Sequence, residues 1–283
     1  LHFDSNQEYQ LDAIKSITDI FEGQPLNGGD FEFSIYPAGA LHSENGFGNR
    51  LTLSEDQIWE NVKTIQTANE IKNGKEALEG MNFSIEMETG TGKTYVYLRT
   101  IFELNKLYGF KKFVIVVPSV AIREGVLKNL QITQEHFQTL YDKVPVNPEV
   151  YDSKKVSNLR GFASGNAIQI LVINIDSFAK DENIINKTND KLTGKRPIEF
   201  IQSTTPIVIV DEPQNMETEI RKRAIENLNP LCTLRYSATH TNLYNLMYSL
   251  NPVKAYDLGL VKQIEVDSVL SENDFNSAYI QVE

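Results

Sequence analysis

The run Phe83-Ser-Ile-Glu-Met-Glu-Thr-Gly-Thr-Gly-Lys-Thr-Tyr95 combines the residue types that hold a row of phosphates. Gly90 and Gly92 let the backbone curl, so that the N–H groups of Thr89, Gly90, Thr91 and Gly92 turn into one concavity. A helix beginning near Lys93 adds its positive dipole end to the same place. Lys93 supplies a mobile charge for the β and γ phosphates, and the Thr94 hydroxyl supplies one oxygen ligand to a phosphate-bound Mg²⁺. A chance glycine-rich turn would lack what flanks this one, a legible strand before it and a helix after it. Met87 stands where the common loop has its first glycine. Glu86 and Glu88 put negative charge beside an anion site, and the sequence offers no physical account of them.

A second constellation is Pro206-Ile-Val-Ile-Val-Asp-Glu-Pro-Gln214, in which four apolar residues form a strand that delivers Asp211 and Glu212 to its carboxyl end. Adjacent carboxylates can divide labour there: Asp211 holds Mg²⁺ through water, and Glu212 orients and deprotonates an attacking water. A strand followed by an acidic turn is common by itself, and it gains meaning downstream of a phosphate loop on the same sheet. One more strand, Leu231 to Tyr236, ends in Ser237-Ala-Thr-His240, small hydroxyl residues able to bond to the acidic motif and sense phosphate loss. His240 reads as a cap or loop residue rather than a proton carrier. Far upstream, Gln10 follows Tyr9 and lies seven residues after Phe3. Its amide can pair with N6 and N7 of adenine while a ring stacks on the base, although a solvated surface glutamine is the ordinary reading of such a residue.

These groups need a scaffold, and the hydrophobic pattern describes one. Tyr9, Ala13, Ile14, Ile17 and Phe21 recur at helical spacing over residues 6–21, with Asn6 placed to cap the start and Gly23 and Pro25 to end it. Residues 22–82 are less regular. They hold two short β-like runs, Phe31 to Tyr36 and Asn49 to Leu53, then a helix from Glu55 with Ser54 and Gln57 in a capping box. We read this stretch as an insertion packed on the core, with Trp59 in the packing. Apolar residues from Val96 to Leu107 continue the phosphate loop as a helix that stops at Gly109. Phe113 to Val117 is a strand buried on both faces. Pro118 and Ser119 follow, and Ser119 can cap a helix through Leu130 that brings Arg123 to the strand's carboxyl end. Both a plain turn and a contact to a phosphate backbone fit that arrangement. Ile168 to Ile175 is a further strand, with Asp176 and Ser177 at its end. Gln131 to Gly165 is variable, the pair Lys154 and Lys155 reads as a solvated face, and Lys180 to Arg196 reads as a surface loop or hairpin. Strands near 83–86, 113–117, 169–174, 207–210 and 232–236 then predict one parallel α/β sheet with a common ligand edge.

The 283 residues carry 41% aliphatic and aromatic residues and 23% charged residues, ordinary values for a globular chain with a sizeable core. Net charge is −11, which excludes bulk attraction to nucleic acid, so any such contact is local. Cys232 is the lone cysteine, and it gives no disulfide and, with His2, His42, His136 and His240, no zinc spacing. No apolar run approaches membrane-spanning length, and we expect a cytoplasmic protein. The first residue is Leu1 rather than Met, as in a piece of a longer protein.

The series as a whole resembles the superfamily-two helicases and translocases. More narrowly it resembles the restriction (Res) subunit of type III restriction-modification enzymes. The stretches that carry the likeness are Tyr9 to Ile14, Glu86 to Thr94, Val116 to Gly125, Asp211 to Gln214, Tyr236 to His240, and Asn251-Pro-Val-Lys-Ala-Tyr with Gly259 to Glu265. The resemblance implies a RecA-like P-loop domain over 1–250, with a mainly parallel sheet flanked by helices, and the start of a second motor domain over 251–283. It implies ATP and Mg²⁺, with Gln10 reading adenine, Thr89 to Thr94 binding the nucleotide, and Asp211 and Glu212 serving metal and water. It also implies that Gln214, Ser237 and Thr239 couple hydrolysis to double-stranded DNA, which Pro118, Ser119, Arg123, Asp176 and Ser177 contact. A methyltransferase (Mod) subunit would be the partner, and a second RecA-like domain and a nuclease domain would lie outside these residues. Another superfamily-two motor, such as an RNA helicase or a type I restriction motor, and a nucleotide-sensing module without turnover are the competing expectations.

Overall fold

The computed structural model describes residues 3–26, 48–72 and 75–262. Apolar runs buried on both faces can only be satisfied inside a sheet covered on both sides, and that is what forms. The strands are β1 (Asn82–Met87), β2 (Lys112–Val117), β3 (Val146–Val150), β4 (Ile168–Asn174), β5 (Ile207–Asp211), β6 (Cys232–Ser237) and β7 (Asn245–Leu250). They pair in the order β3-β4-β2-β5-β6-β1-β7, every pair parallel. All carboxyl ends therefore share one edge, as the sequence predicts for five of the seven strands.

The two-residue period of β2 sorts its side chains between two cores. Phe113, Ile115 and Val117 enter a cluster with Val96, Phe137 and Leu234, while Val114 and Val116 join Phe162, Ile198 and Ile225 on the other face. The first cluster is roofed by α1 (Glu8–Thr18), α2 (Glu55–Ala68), α3 (Lys93–Tyr108) and α4 (Val120–Leu140), the second by α5 (Asn158–Ser164), α6 (Pro197–Gln202) and α7 (Glu219–Glu226). Ser54 and Gln57 make the expected capping box on α2, and Trp59 packs partly buried against the first core.

Several expectations need correction. Asn6 does not cap α1: Gln7 takes that position without a side-chain bond, and the Asn6 N–H donates to Asp4. Asn49 to Leu53 is not a strand, because its polar groups find other partners. Asn49 bridges the N–H groups of Lys111 and Lys112 and the Lys112 carbonyl through its side chain, and the Gln24 amide receives the Thr52 N–H. Phe31 to Tyr36 lies outside the described residues. The helix after Ser119 runs to Leu140, ten residues further than expected, since Thr133 and Phe137 are buried and Phe137 meets Phe102 at 4.9 Å. Residues 180–196 form no hairpin. They hold two short 3₁₀ turns anchored by the fully buried Ile185 and Leu192. After β7, α8 (Pro252–Asp257) buries Ala255 in the first core.

Candidate nucleotide and metal site

Gly92 begins α3 at φ 90° and Gly90 precedes it at φ 82°, left-handed values that favour glycine. Open space lies where a Gly90 side chain would go, whereas a Cβ on Gly92 would fall 2.6 Å from the Gln10 amide nitrogen. The loop is closed from inside by Thr91, whose hydroxyl donates to the Glu88 carbonyl at 2.6 Å. The two unexplained glutamates are accounted for here. Glu86 is turned away to the Ser249 hydroxyl on β7. The Glu88 carboxylate accepts the Thr89 N–H at 2.7 Å, an anion already seated on the rim of an anion cradle.

The acidic motif reaches the same place from β5. Lys93 Nζ lies 2.6 Å from Glu212 Oε1, which puts the phosphate-loop lysine and the hydrolytic candidate side by side. Asp211 is buried and accepts a 3.1 Å hydrogen bond from the Tyr97 hydroxyl, which also sits beside the Thr94 hydroxyl. Thr94 and Asp211, the expected metal ligands, thus converge on one tyrosine. They offer hard oxygen donors, one carboxylate and one hydroxyl, which fits an ion that keeps its waters and shares phosphate oxygens. No cluster of three or more His, Cys, Asp or Glu side chains able to cage a metal exists among the described residues.

The two carboxyls differ in electrostatics. Burial and the neighbouring Glu212 charge push Asp211 up to about 6. Burial would also raise Glu212, but hydrogen bonds from Lys93 and Gln214 and the attraction of Lys93 outweigh it and hold Glu212 below its ordinary value. Glu212 also has a strained backbone, at φ 54° and ψ 58°, fixed by its N–H on the Tyr236 carbonyl at 3.0 Å. Gln214 donates to Glu212 Oε2 at 2.7 Å and accepts from the Ser237 hydroxyl at 2.7 Å. The Thr239 backbone N–H donates to Ser237 at 2.9 Å, so Thr239 enters this network through its main chain. His240 holds the Ile85 carbonyl at 3.0 Å, and burial keeps its imidazole below the ordinary value, in line with a structural role.

Gln10 is buried against the loop. Its Nε2 donates to the Thr91 carbonyl at 3.1 Å and to the Tyr9 hydroxyl at 3.3 Å. In this conformation Oε1 is the amide atom left free to meet a base. Phe3 stacks on Tyr95 at 5.9 Å, and both line a cleft of about 720 Å³ with Gln10, Thr89, Lys93 and Glu212.

The residues expected at DNA are gathered elsewhere. Ser119 caps α4 by accepting the Ile122 N–H, and Arg123 pairs with Glu124 at 2.9 Å. Pro118 sits between β2 and that cap. Asp176 is taken by Arg221 at 2.8 Å. Arg123 and Ser177 share a second cleft of about 870 Å³ with Lys155 and Asn158, and Lys154 and Lys155 are solvent-exposed, as expected. Sequence reading missed Tyr97, whose signal was its place four residues after Lys93 on one helical face.

A family model described as "Type III restriction enzyme, res subunit" matches residues 6–242. The chain belongs to this family. Among relatives of the type III Res family, the EcoP15I Res subunit of Escherichia coli is 32% identical over 76% of this chain and 24% of its own length. The EcoPI Res subunit of Escherichia phage P1 is 30% identical over 84% of this chain and 27% of its own length. The chain thus spans about a quarter of the length of these Res subunits. Two solved structures align more loosely. A nuclease-deletion mutant of the Type ISP restriction-modification enzyme LlaGI, in complex with a DNA substrate mimic, gives a TM-score of 0.43 at 15% identity over 71% of this chain and 20% of its own. The UvsW helicase from bacteriophage T4 gives 0.36 at 13% identity over 64% and 60%.

Proposed function

We propose that this chain is the ATP-binding and ATP-hydrolysing motor domain of a type III Res subunit, acting on double-stranded DNA in the cytoplasm with a methyltransferase (Mod) partner. The observation that carries the reading is the 2.6 Å approach of Lys93 to Glu212 at a glycine-cradled helix start, with Asp211 and Thr94 converging on Tyr97. Family membership supports the DNA and the Mod partner, and the likeness to Res subunits disfavours an RNA helicase. From sequence, residues 251–283 are expected to begin a second motor domain; α8 with Leu260 and Val261 packs on the first core, so we place that start after residue 262. Residues 263–283 lie outside the described residues.

In this reading Lys93 leaves Glu212 for the β and γ phosphates, and the loop N–H groups complete the cradle. Mg²⁺, held by Thr94 and Asp211, would neutralise charge on the phosphoryl oxygens. Glu212, freed of its cation, recovers basicity and takes a proton from the attacking water. Gln214 and Ser237 hold Glu212 in place and pass its displacement to the Thr239 backbone, and Arg123 and Ser177 at the second cleft would meet DNA phosphates. Gln10 presents Oε1 to the N6 amino group of adenine.

Calorimetry with MgATP tests the assignment. The wild-type chain should bind, and Lys93→Ala should lose binding or weaken it by more than about tenfold, since a charge-assisted phosphate contact is removed. Unchanged affinity in Lys93→Ala would refute the role given to the loop.

A further inference from the structure

The phosphate end of the cleft is built by the start of α3, but its opposite wall comes from an unlikely source, the few residues that precede α1. Phe3, Asp4 and Gln7 line the cleft together with Gln10. A short segment before a helix has little to hold it, yet this one is fastened to the core by the packing of Phe3 on Tyr95 and His136 and by one buried bond to its main chain. Arg99, a buried arginine of α3, donates from NH1 to the Ser5 carbonyl at 2.6 Å. Its Nε donates to the Tyr141 hydroxyl at 3.2 Å, and that hydroxyl donates in turn to Glu103 at 2.7 Å. Tyr141 is itself fixed by stacking on Phe102 at 5.0 Å. The guanidinium is therefore aimed from behind, and its remaining edge meets the Ser5 main chain and the Tyr95 hydroxyl rather than a carboxylate. On either side of Ser5, Phe3 lies on Tyr95 and Asp4 accepts from the Gln7 amide at 2.8 Å.

We infer that Arg99 is a positioning residue for the nucleoside half of the nucleotide, hanging the 3–7 wall on the same helix whose first turn holds the phosphates. Arg99 follows Lys93 by six residues, about 9 Å along the helix axis, so α3 acts as a ruler between the phosphate cradle and the base and ribose wall. The inference rests on the nucleotide reading above. A wall fixed in advance removes an ordering penalty that binding would otherwise carry. Arg99 touches no part of the ligand, so its loss should be felt only by ligands that reach the wall.

The test compares two ligands in calorimetry, MgATP and magnesium tripolyphosphate, which has the phosphates and no nucleoside. In the wild-type chain MgATP should bind the more tightly. Arg99→Ala should weaken MgATP by about tenfold and leave tripolyphosphate within about twofold, collapsing the ratio. Arg99→Lys, which can still donate to the Ser5 carbonyl, should recover part of it. Should Arg99→Ala fail to fold by circular dichroism, Tyr141→Phe, which keeps the ring stack and removes the acceptor, should lower the same ratio. Equal weakening of both ligands in a folded variant would mean a general structural role, and an unchanged ratio would mean no role; either overturns the inference while leaving the nucleotide reading intact. A wild-type chain that binds neither ligand would overturn the reading and the inference together.

Discussion

Asp211 and Glu212 are adjacent carboxyls pushed in opposite directions, and the cause is which partner each one meets. Asp211 faces a tyrosine in a buried pocket and sits at about 6, while Glu212 faces a lysine and is held low. A buried carboxylate short of cationic partners is poised to take a cation, and the proton is its competitor. The sign follows directly. Above about pH 6 Asp211 is ionised and available to Mg²⁺, and each pH unit below that raises the Mg²⁺ needed for tight ATP binding by about tenfold. The Tyr97 hydrogen bond lowers the Asp211 value, so Tyr97→Phe should move the midpoint upward. Asp211→Asn should remove both the metal dependence and its pH profile. Titrations of ATP binding against Mg²⁺ at several pH values check this, and a flat profile in the wild type would assign the metal to other groups.

Among elements, β2 shows how a strand can serve a helix on the far side of the sheet. Lys112 is almost fully buried, and its Nζ donates to the carbonyls of Phe162, Ala163 and Gly165 at 2.6, 2.8 and 2.8 Å, capping the end of α5. Burial pushes its ammonium down to about 8. Three acceptors use three N–H groups, which only the charged form has, and this keeps it protonated at neutral pH. Lys112→Met retains the apolar stem and strips the donors. It should destabilise the domain by about 1–3 kcal/mol through orphaned carbonyls, read as a lower urea midpoint at constant slope. An unchanged midpoint would show that water replaces the ammonium. The strands that were legible in sequence are those rich in β-branched residues and buried on both faces, such as Phe113 to Val117 and Ile207 to Val210. β3 was hidden by Pro148 and Glu149, which an edge strand tolerates because one side of its backbone is unpaired. β7, the other edge, has Asn245, Tyr248 and Ser249 in place of a β-branched run. The helices of the second face are six to eight residues long, too short for a periodic signal. At the site, Lys93, Thr94, Asp211 and Glu212 could be named from motif chemistry. Tyr97 shows only through its spacing from Lys93 and Arg99 not at all, since their partners Asp211 and Ser5 are distant in sequence and meet them only in the folded domain.

At the scale of the whole molecule, the parallel sheet brings β1, β5 and β6 side by side so that three separate sequence segments meet at one cleft. In the proposed reading the loop Thr89 to Thr94 cradles phosphate, Thr94 and Asp211 would hold one Mg²⁺, Glu212 would take the proton of water, and Gln214 and Ser237 bond to Glu212 behind it. Among the described residues, no arginine lines it. Charge spread over the γ-phosphoryl oxygens in the transition state calls for a cation besides lysine and metal, and an arginine in that place is worth about 10³ to 10⁵ in rate in related nucleotidases. Leu260, two residues before the last described residue, also lines the cleft. The 283-residue chain by itself should therefore bind MgATP and turn it over very slowly, with or without duplex DNA. A phosphate-release assay decides, with Glu212→Gln as the control for contaminating ATPase: the variant should match the wild type's low background. Rapid wild-type turnover that Glu212→Gln abolishes would show that residues already within this chain supply the missing charge.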